Sequence, residues 1–366
     1  MNILFEFEKT PIVFNNPERI ISCYHPQDIK EALILSEEML AQGFYLAGFI
    51  SYEAGYYFEE KTRVDKTYNF PLVYLGCYRQ AEQGRSFFGS GLKKAKVSAC
   101  RPDVSLDQYW ADIAAIREHI RKGDVYQITY CWKMLFSFFG DPYSLYRSLL
   151  KKQPVPYPAY LETDNFKILS LSPEMFLKKK GDFISVKPMK GTAMRLKGIK
   201  DVIGGLKLKY DSKNRAENVM IADLLRNDLG RIAKKVRAPK LFEVARYKTL
   251  YQMTSTVNAR IDKDIKIEQL FKSLFPSGSV TGAPKIRSME IIGELEKTER
   301  KIYTGAIGYI TPAKAMFFNI PIRTILLENS SGQMGVGGGI VWDSTAQGEW
   351  EEGMLKSQFL LEAQEG

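Results

Sequence analysis

The chain has 366 residues, 45% of them hydrophobic and 26% charged, enough apolar volume for a sizeable core and too much for a disordered tail. Lysine and arginine number 52 against 42 aspartates and glutamates, a net charge of +10 that suits a small anionic ligand, nucleic acid or an anionic membrane without choosing among them. Only His25 and His119 occur, and Cys23, Cys77, Cys100 and Cys131 form no C-x-x-C pair, so multi-histidine and zinc-knuckle centres are excluded, any metal must be held by oxygen, and a reduced, cytoplasmic setting is expected.

The opening segment MNILFEFEKT reads as mature protein rather than a signal peptide, and the apolar run Gly43 to Tyr52 is too short to span a bilayer, so no membrane partner is expected. Residues 1–98 are read as an N-terminal region packing on a catalytic part, 99–366, with Lys93 to Arg101 as a connector. Leu106, Tyr109, Ile113, Ile116 and Ile120 recur at helical spacing between an N-cap at Ser105 and a stop at Gly123. Tyr126, Ile128, Tyr130, Trp132, Met134 and Phe136 then alternate with Gln127, Thr129, Cys131 and Lys133, the period of a strand whose apolar face excludes Gln127. Further strands are predicted at Phe166 to Leu171, Phe183 to Lys187, Tyr303 to Ile310, Met316 to Leu327 and Gln333 to Val341. Helices are predicted from about Ser212 to Lys234 and Gly348 to Ala363. Long strands with few helices and no βαβ rhythm predict an α+β fold, antiparallel-rich stacked β-sheets flanked by helices.

Two glycine-rich stretches fail the nucleotide fingerprints. Ile340 stands where Gly335-Val-Gly-Gly-Gly339 needs a further glycine, and Lys285 of Gly278-Ser-Val-Thr-Gly-Ala-Pro-Lys285 precedes Ile286 rather than Ser or Thr. Their backbone amides could still cradle an oxyanion, with Lys285 adding charge, or they could be plain turns. Glu349 and Glu352 share one helix face with Lys356 a turn further on. With Glu217, near the start of another helix, they could make a hard-oxygen Mg²⁺ site; alone, such a face is usually just solvated. Lys190 ends a strand beside Gly191, and Arg323 lies among apolar strand residues, where a guanidinium wants a carboxylate or phosphate.

These segments resemble the chorismate-utilising enzymes, and within them the large, aminating subunits of the aminodeoxychorismate synthase type. The blocks that carry the resemblance include Gly123-Asp-Val-Tyr-Gln127, Ser172-Pro-Glu-Met-Phe176, Lys187-Pro-Met-Lys-Gly-Thr192, Arg215-Ala-Glu217, Phe275 to Lys285, Tyr303-Thr-Gly305, Ile322-Arg-Thr324, Gly337-Gly-Gly-Ile340 and Glu349-Trp-Glu-Glu352. They run in family order over about residues 100–360, and Gly48-Phe-Ile-Ser-Tyr-Glu-Ala-Gly55 adds a weaker match.

The resemblance implies conversion of chorismate plus ammonia to 4-amino-4-deoxychorismate, a step towards para-aminobenzoate and folate. Isochorismate-forming relatives carry a water-activating lysine at the position of Gln127, and anthranilate-forming ones an alanine at that of Lys190. Lys190 is thereby implied as the nucleophile on ring C2 and Glu174 as general acid and base. Glu217, Glu349 and Glu352 are implied to hold Mg²⁺, while Arg323, Tyr303, Gly337, Gly338, Gly339, Lys356, Thr192, Gln127, Thr281 and Gly282 bind substrate. Lys187 and Arg195 are expected to help keep Lys190 a free amine. None of the cysteines sits in a glutaminase G-x-C-x-G turn, so a separate glutaminase subunit or free ammonia is the expected nitrogen source. Neither a tryptophan-feedback Leu-Leu-Glu-Ser segment nor a fused lyase is expected, and Gln252 replaces a histidine of the anthranilate-forming relatives. The alternatives are an anthranilate-forming synthase and, outside enzymes, a basic nucleic-acid-binding protein, against which the scattered lysines and missing motifs argue.

Overall fold

Period-two alternation over Gln127–Gly140 builds a fourteen-residue strand, and the sheet around it determines where everything else lies. The computed structural model describes residues 1–84, 94–196, 198–246 and 250–361, apart from the side chains of Thr192, Met194, Ile199 and Leu250. Among these residues the chain forms two antiparallel sheets of ten strands each. The first runs from Gly282–Ala283 through Gln127–Gly140, Ser331–Ile340, Thr324–Glu328, Lys167–Ser172 and Tyr157–Glu162 to Asn2–Phe5, Ile12–Phe14 and Glu82–Gln83. The second runs from Met189–Met194 through Leu250–Ile261, Phe183–Lys187, Met175–Lys180, Met316–Asn319 and Ala306–Ile310 to Tyr45–Ile50, Val73–Tyr78 and Arg19–Cys23. Residues before 98 are hydrogen-bonded into both: Asn2–Phe5 pairs with Tyr157–Glu162, and Tyr45–Ile50 with Ala306–Ile310.

Three apolar clusters define four layers. Ile3, Phe5, Ile168 and Leu161 of the first sheet meet Phe49, Ile307 and Phe317 of the second between the sheets. Ile128, Tyr130, Trp132 and Met134 face the other way, onto Tyr109, Ile113 and Ile116 of the helix Leu106–Arg121 and Leu145 and Leu149 of Pro142–Lys152. The outer face of the second sheet packs on Ile221, Leu225 and Leu229 of the helix Ser212–Gly230 and on Ile29–Ala41 and Ile267–Leu274. Each side chain so buried contributes roughly 1.5–3 kcal/mol. The predicted α+β, antiparallel-rich stacked-sheet architecture is the one observed.

The differences from expectation are local. The predicted connector is a strand, Ala95–Pro102, on the edge of Gln127–Gly140; Lys93 lies outside the described residues. The helix predicted to reach Lys234 stops at Gly230, because the chain turns into the hairpin strand Ala233–Arg246. The C-terminal helix is Ala346–Leu361, with Ala363 outside the described residues. The single strand expected from Met316 to Leu327 is two, Met316–Asn319 and Thr324–Glu328, because the chain leaves one sheet for the other between them. That switch places functional groups.

Candidate active site

Two of the chain's crossings between the sheets lie side by side: one at Pro173-Glu174, after Lys167–Ser172 and before Met175–Lys180, and one over residues 320–323. The two crossings are stitched together. Ile320 N–H donates to the Glu174 carbonyl at 3.0 Å, Ser172 Oγ to the Ile320 carbonyl at 2.5 Å, and Leu171 N–H to the Arg323 carbonyl at 3.0 Å. Arg323 takes φ +51°, a left-handed conformation that costs a non-glycine residue on the order of 1 kcal/mol and is retained here where its side chain enters a cavity. Glu174 and Arg323 are therefore brought to one place by the gap between two sheets, and both line a cavity of about 730 Å³.

Lys190 projects into the same cavity from the strand Met189–Met194. Protein surrounds its amine, and this desolvation lowers its pKa; Glu217, Glu174 and Glu352 oppose the shift and Lys356 assists it. Arg195 does not help, being forked onto Asp201 at 2.8 Å, and neither it nor Lys187 lines the cavity. Glu174, 3% exposed, is pushed up to about 7 by burial. A hydrogen bond donated by Ser279 Oγ at 2.7 Å and the charge of Lys190 pull the other way without cancelling it. The pair is a desolvated amine and a carboxyl that titrates near neutrality, a combination suited to nucleophilic attack with proton transfer.

The opposite wall is the strand Ser331–Ile340. A Cβ on Gly339 would lie 2.5 Å from Gln127 Nε2 and 3.1 Å from Lys190 Nζ, and one on Gly338 would lie 2.9 Å from Glu349 Oε2. Side chains there would collide with the groups that form the site. Gln127, fully buried, faces this wall, and neither of its amide atoms has a hydrogen-bond partner among the described residues. Tyr303 lines the cavity too, with its ring against Gly335.

The mouth is formed by Ala346–Leu361 and the start of Ser212–Gly230. Trp350 stacks on Trp132 at 5.1 Å and meets Tyr109 edge-on, and Gly353 lets the helix settle against Trp132. This turns Glu349, Glu352 and Lys356 toward the cavity, with Glu217, Lys213 and Asn214 across from them. Burial and nearby Glu352 raise Glu349 while a 2.6 Å bond from Ser344 restrains it; Glu352 is lowered, the burial that would raise it being outweighed by Lys356 at 2.7 Å. Lys356 also donates to the Gly337 carbonyl at 2.8 Å. Among the described residues no three histidine, cysteine, aspartate or glutamate side chains converge closely enough to hold a metal, although Glu217, Glu349 and Glu352 do line one cavity as an all-carboxylate set of hard oxygen donors.

Other expected contacts lie elsewhere. Thr281 does not line the cavity: it is fully buried, its hydroxyl donating to the Ser277 carbonyl at 3.1 Å and its own carbonyl accepting from Thr129 N–H at 2.7 Å. Gly282 pairs with Ile128, so close to the Gln127 carbonyl that a Cβ could not fit. Both hold the loop onto the sheet. Lys285 is bound to Asp228 at 2.6 Å and supplies no charge to the cavity. Thr192 pairs with Gln252 through its backbone, its side chain lying outside the described residues. His25 accepts a cap bond from Gln27 and His119 pairs with Asp124 at 2.7 Å, so neither serves the cavity. Ser279, Thr304 and Lys213, absent from the predicted set, do line it. A second hollow of about 620 Å³, beside Asp223, Arg226 and Arg231, holds no buried titratable group.

A family model described as chorismate binding enzyme matches residues 90–362, which contain every residue that lines the cavity. The chain belongs to that family. This family member is 37% identical over 268 residues, 72% of the chain and 59% of the relative, to aminodeoxychorismate synthase component 1 of Klebsiella aerogenes. It is 34% identical over 282 residues, 75% of the chain and 57% of the relative, to anthranilate synthase component 1 of Acinetobacter calcoaceticus. The chain thus spans less than two thirds of these relatives' lengths. The fold of anthranilate synthase component I from Streptococcus pneumoniae superposes with a TM-score of 0.84, covering 97% of this chain and 91% of that one at 24% identity. No described helix is long and apolar enough to cross a membrane.

Proposed function

We propose that this chorismate binding enzyme aminates chorismate at C4, the reaction of an aminodeoxychorismate synthase component I on the route to para-aminobenzoate and folate. The observation that carries the reading is Lys190, an amine with a lowered pKa facing a carboxyl, Glu174, that titrates near 7 in the same cavity. The lone pair of Lys190 Nζ bonds to C2, the two conjugated ring double bonds shift from C1=C2 and C5=C6 to C1=C6 and C4=C5, and the C4–O bond breaks, its oxygen leaving as water with the proton of Glu174. The new secondary ammonium gives up a proton. Ammonia then bonds to C4, both double bonds return to C1=C2 and C5=C6, and the C2–N bond breaks as Glu174 returns to the lysine nitrogen the proton it took from the ammonium, leaving Lys190 a free amine and the C4 ammonium to lose its extra proton. Gln127 carries no base, which argues against water attack at C2.

The substrate has two carboxylates, and Arg323, Lys356 and the amides of Gly337 and Gly339 supply positive charge and donors along one wall, with Tyr303 beside them and the backbone of Gly338 paired with Tyr130 in the sheet. Glu217, Glu349 and Glu352 line the same cavity without converging on one point, and drawn together they would hold Mg²⁺, which when bound would neutralise the ring carboxylate. Ammonia would come from a separate glutaminase subunit or from solution, in a cytoplasmic enzyme. Incubation with chorismate, Mg²⁺ and ammonium should yield 4-amino-4-deoxychorismate by mass and retention. Anthranilate as the sole product would replace this reading with C2 amination.

A further inference from the structure

The motif Gly48-Phe-Ile-Ser-Tyr-Glu-Ala-Gly55 leads directly to a residue that the proposed chemistry leaves unused. After the strand Tyr45–Ile50, Tyr52 and Glu53 are buried, 1% and 5% exposed, and both bear on Arg300. Glu53 Oε1 accepts from the backbone N–H of Arg300 at 2.6 Å and of Lys301 at 3.3 Å, and the Arg300 guanidinium lies 4.3 Å from the Tyr52 ring centroid. Arg300 is itself 4% exposed, and its five N–H donors are all used. Nε and Nη2 fork onto Glu296 at 2.8 and 2.6 Å, Nη1 donates to the Val280 carbonyl at 2.8 Å and Thr304 Oγ1 at 3.2 Å, and Nη2 donates to the Thr129 carbonyl at 2.7 Å. Val280, Thr304 and Thr129 all line the cavity, and Val280 follows Ser279, whose hydroxyl donates to Glu174.

A buried ion pair is poor evidence for stability, since apolar replacements are often as stable. What an apolar side chain cannot do is fix three acceptors from three separate segments, and the planar five-donor fork of arginine can. Resting on the C4-amination reading, we infer that Arg300, seated by Tyr52 and Glu53, is a positioning residue: it holds Val280 so that Ser279 reaches Glu174, and thereby gives the N-terminal region a role in the reaction. Arg300 does not itself line the cavity.

The test is the pH profile of kcat/KM for ammonia-dependent chorismate turnover by the full chain. The Ser279 bond favours the carboxylate of Glu174, so losing it should move the limb set by Glu174 to higher pH. The other charged groups lining the cavity, Lys152, Lys190, Arg323, Glu217, Glu349, Glu352, Lys213 and Lys356, are unaltered in the variants. Ser279→Ala should shift that limb upward by about half a pH unit. Arg300→Lys should shift it the same way and lower kcat/KM about tenfold, and the double variant should shift it no further than Ser279→Ala alone. Because Arg300→Lys can fail to fold, Tyr52→Leu, which removes only the ring beneath the guanidinium, should give a smaller shift in the same direction. A folded Arg300→Lys or Tyr52→Leu protein with the parental profile, or shifts that add in the double variant, would overturn the inference. Failure of the parent protein to make 4-amino product would instead overturn the reading of the reaction.

Discussion

At the deep end of the cavity Glu174 is almost wholly buried, its carboxyl pushed up to about 7, and Lys190 faces it with a lowered pKa. At the mouth Glu352 is lowered by Lys356, which outweighs the desolvation from surrounding protein, and Glu349 beside it is raised by burial and by that neighbour. The first pair is tuned by desolvation, Glu174 standing on a sheet crossing and Lys190 on the strand Met189–Met194. The second is a set of like charges on helices, balanced by a flexible ammonium that an incoming cation could displace. The contrast separates the work: proton and bond changes belong at the deep end, capture of charge at the mouth.

The largest effects should follow from breaking the deep pair. Lys190→Ala should lower formation of the 4-amino product by about a thousandfold or more, with any residual amination moving to C2, as measured by product analysis. Lys190→Arg should not rescue it, since a guanidinium stays protonated. Glu174→Gln should cost about a hundredfold to ten-thousandfold in kcat and remove the limb near pH 7, because the amide neither gives nor takes that proton.

The mouth should answer to metal instead. Glu217→Gln and Glu349→Gln should weaken Mg²⁺ activation by about tenfold to a hundredfold while the melting temperature stays within a few degrees of the parent. Full turnover by the parent in chelator would dissolve the distinction between the two ends. The smallest effect is expected outside both. Thr281→Val leaves the Ser277 carbonyl without its partner and should cost about 1 kcal/mol of stability, seen in denaturant unfolding, with the chorismate KM unchanged.

Much of this was legible from residue order because side-chain chemistry recurs at fixed spacing. The helices that carry Glu217 and Glu349 follow from apolar periodicity, and the alternation around Ile128 correctly puts Gln127 on the face away from the helices. What stayed hidden depends on partners distant in the chain. The break between Met316–Asn319 and Thr324–Glu328 has one local mark, Pro321, but that the two pieces join different sheets is not visible in the sequence. Arg300 stands in Glu294-Leu-Glu-Lys-Thr-Glu-Arg-Lys301, a charged run that reads as solvated surface until Glu53 and Thr129 close over it. Thr281 and Gly282 lie in a motif whose glycines suggest ligand contact, yet their small size serves the approach of that loop to Gln127–Gly140. The helix Ile199–Tyr210 escapes periodicity because its outer face also carries Val202, Ile203 and Leu206.

Covalent attack by Lys190 is the claim on which the rest depends, and peptide mass mapping reads it directly. After incubation with chorismate and Mg²⁺ but no ammonia, the peptide containing Lys190 should gain the mass of chorismate less one water. The gain should be absent from Lys190→Ala and lost when ammonium is added. An unmodified Lys190 peptide from an enzyme that still makes 4-amino-4-deoxychorismate, or an alanine variant that makes it at the parental rate, would contradict the account and point to direct amination at C4.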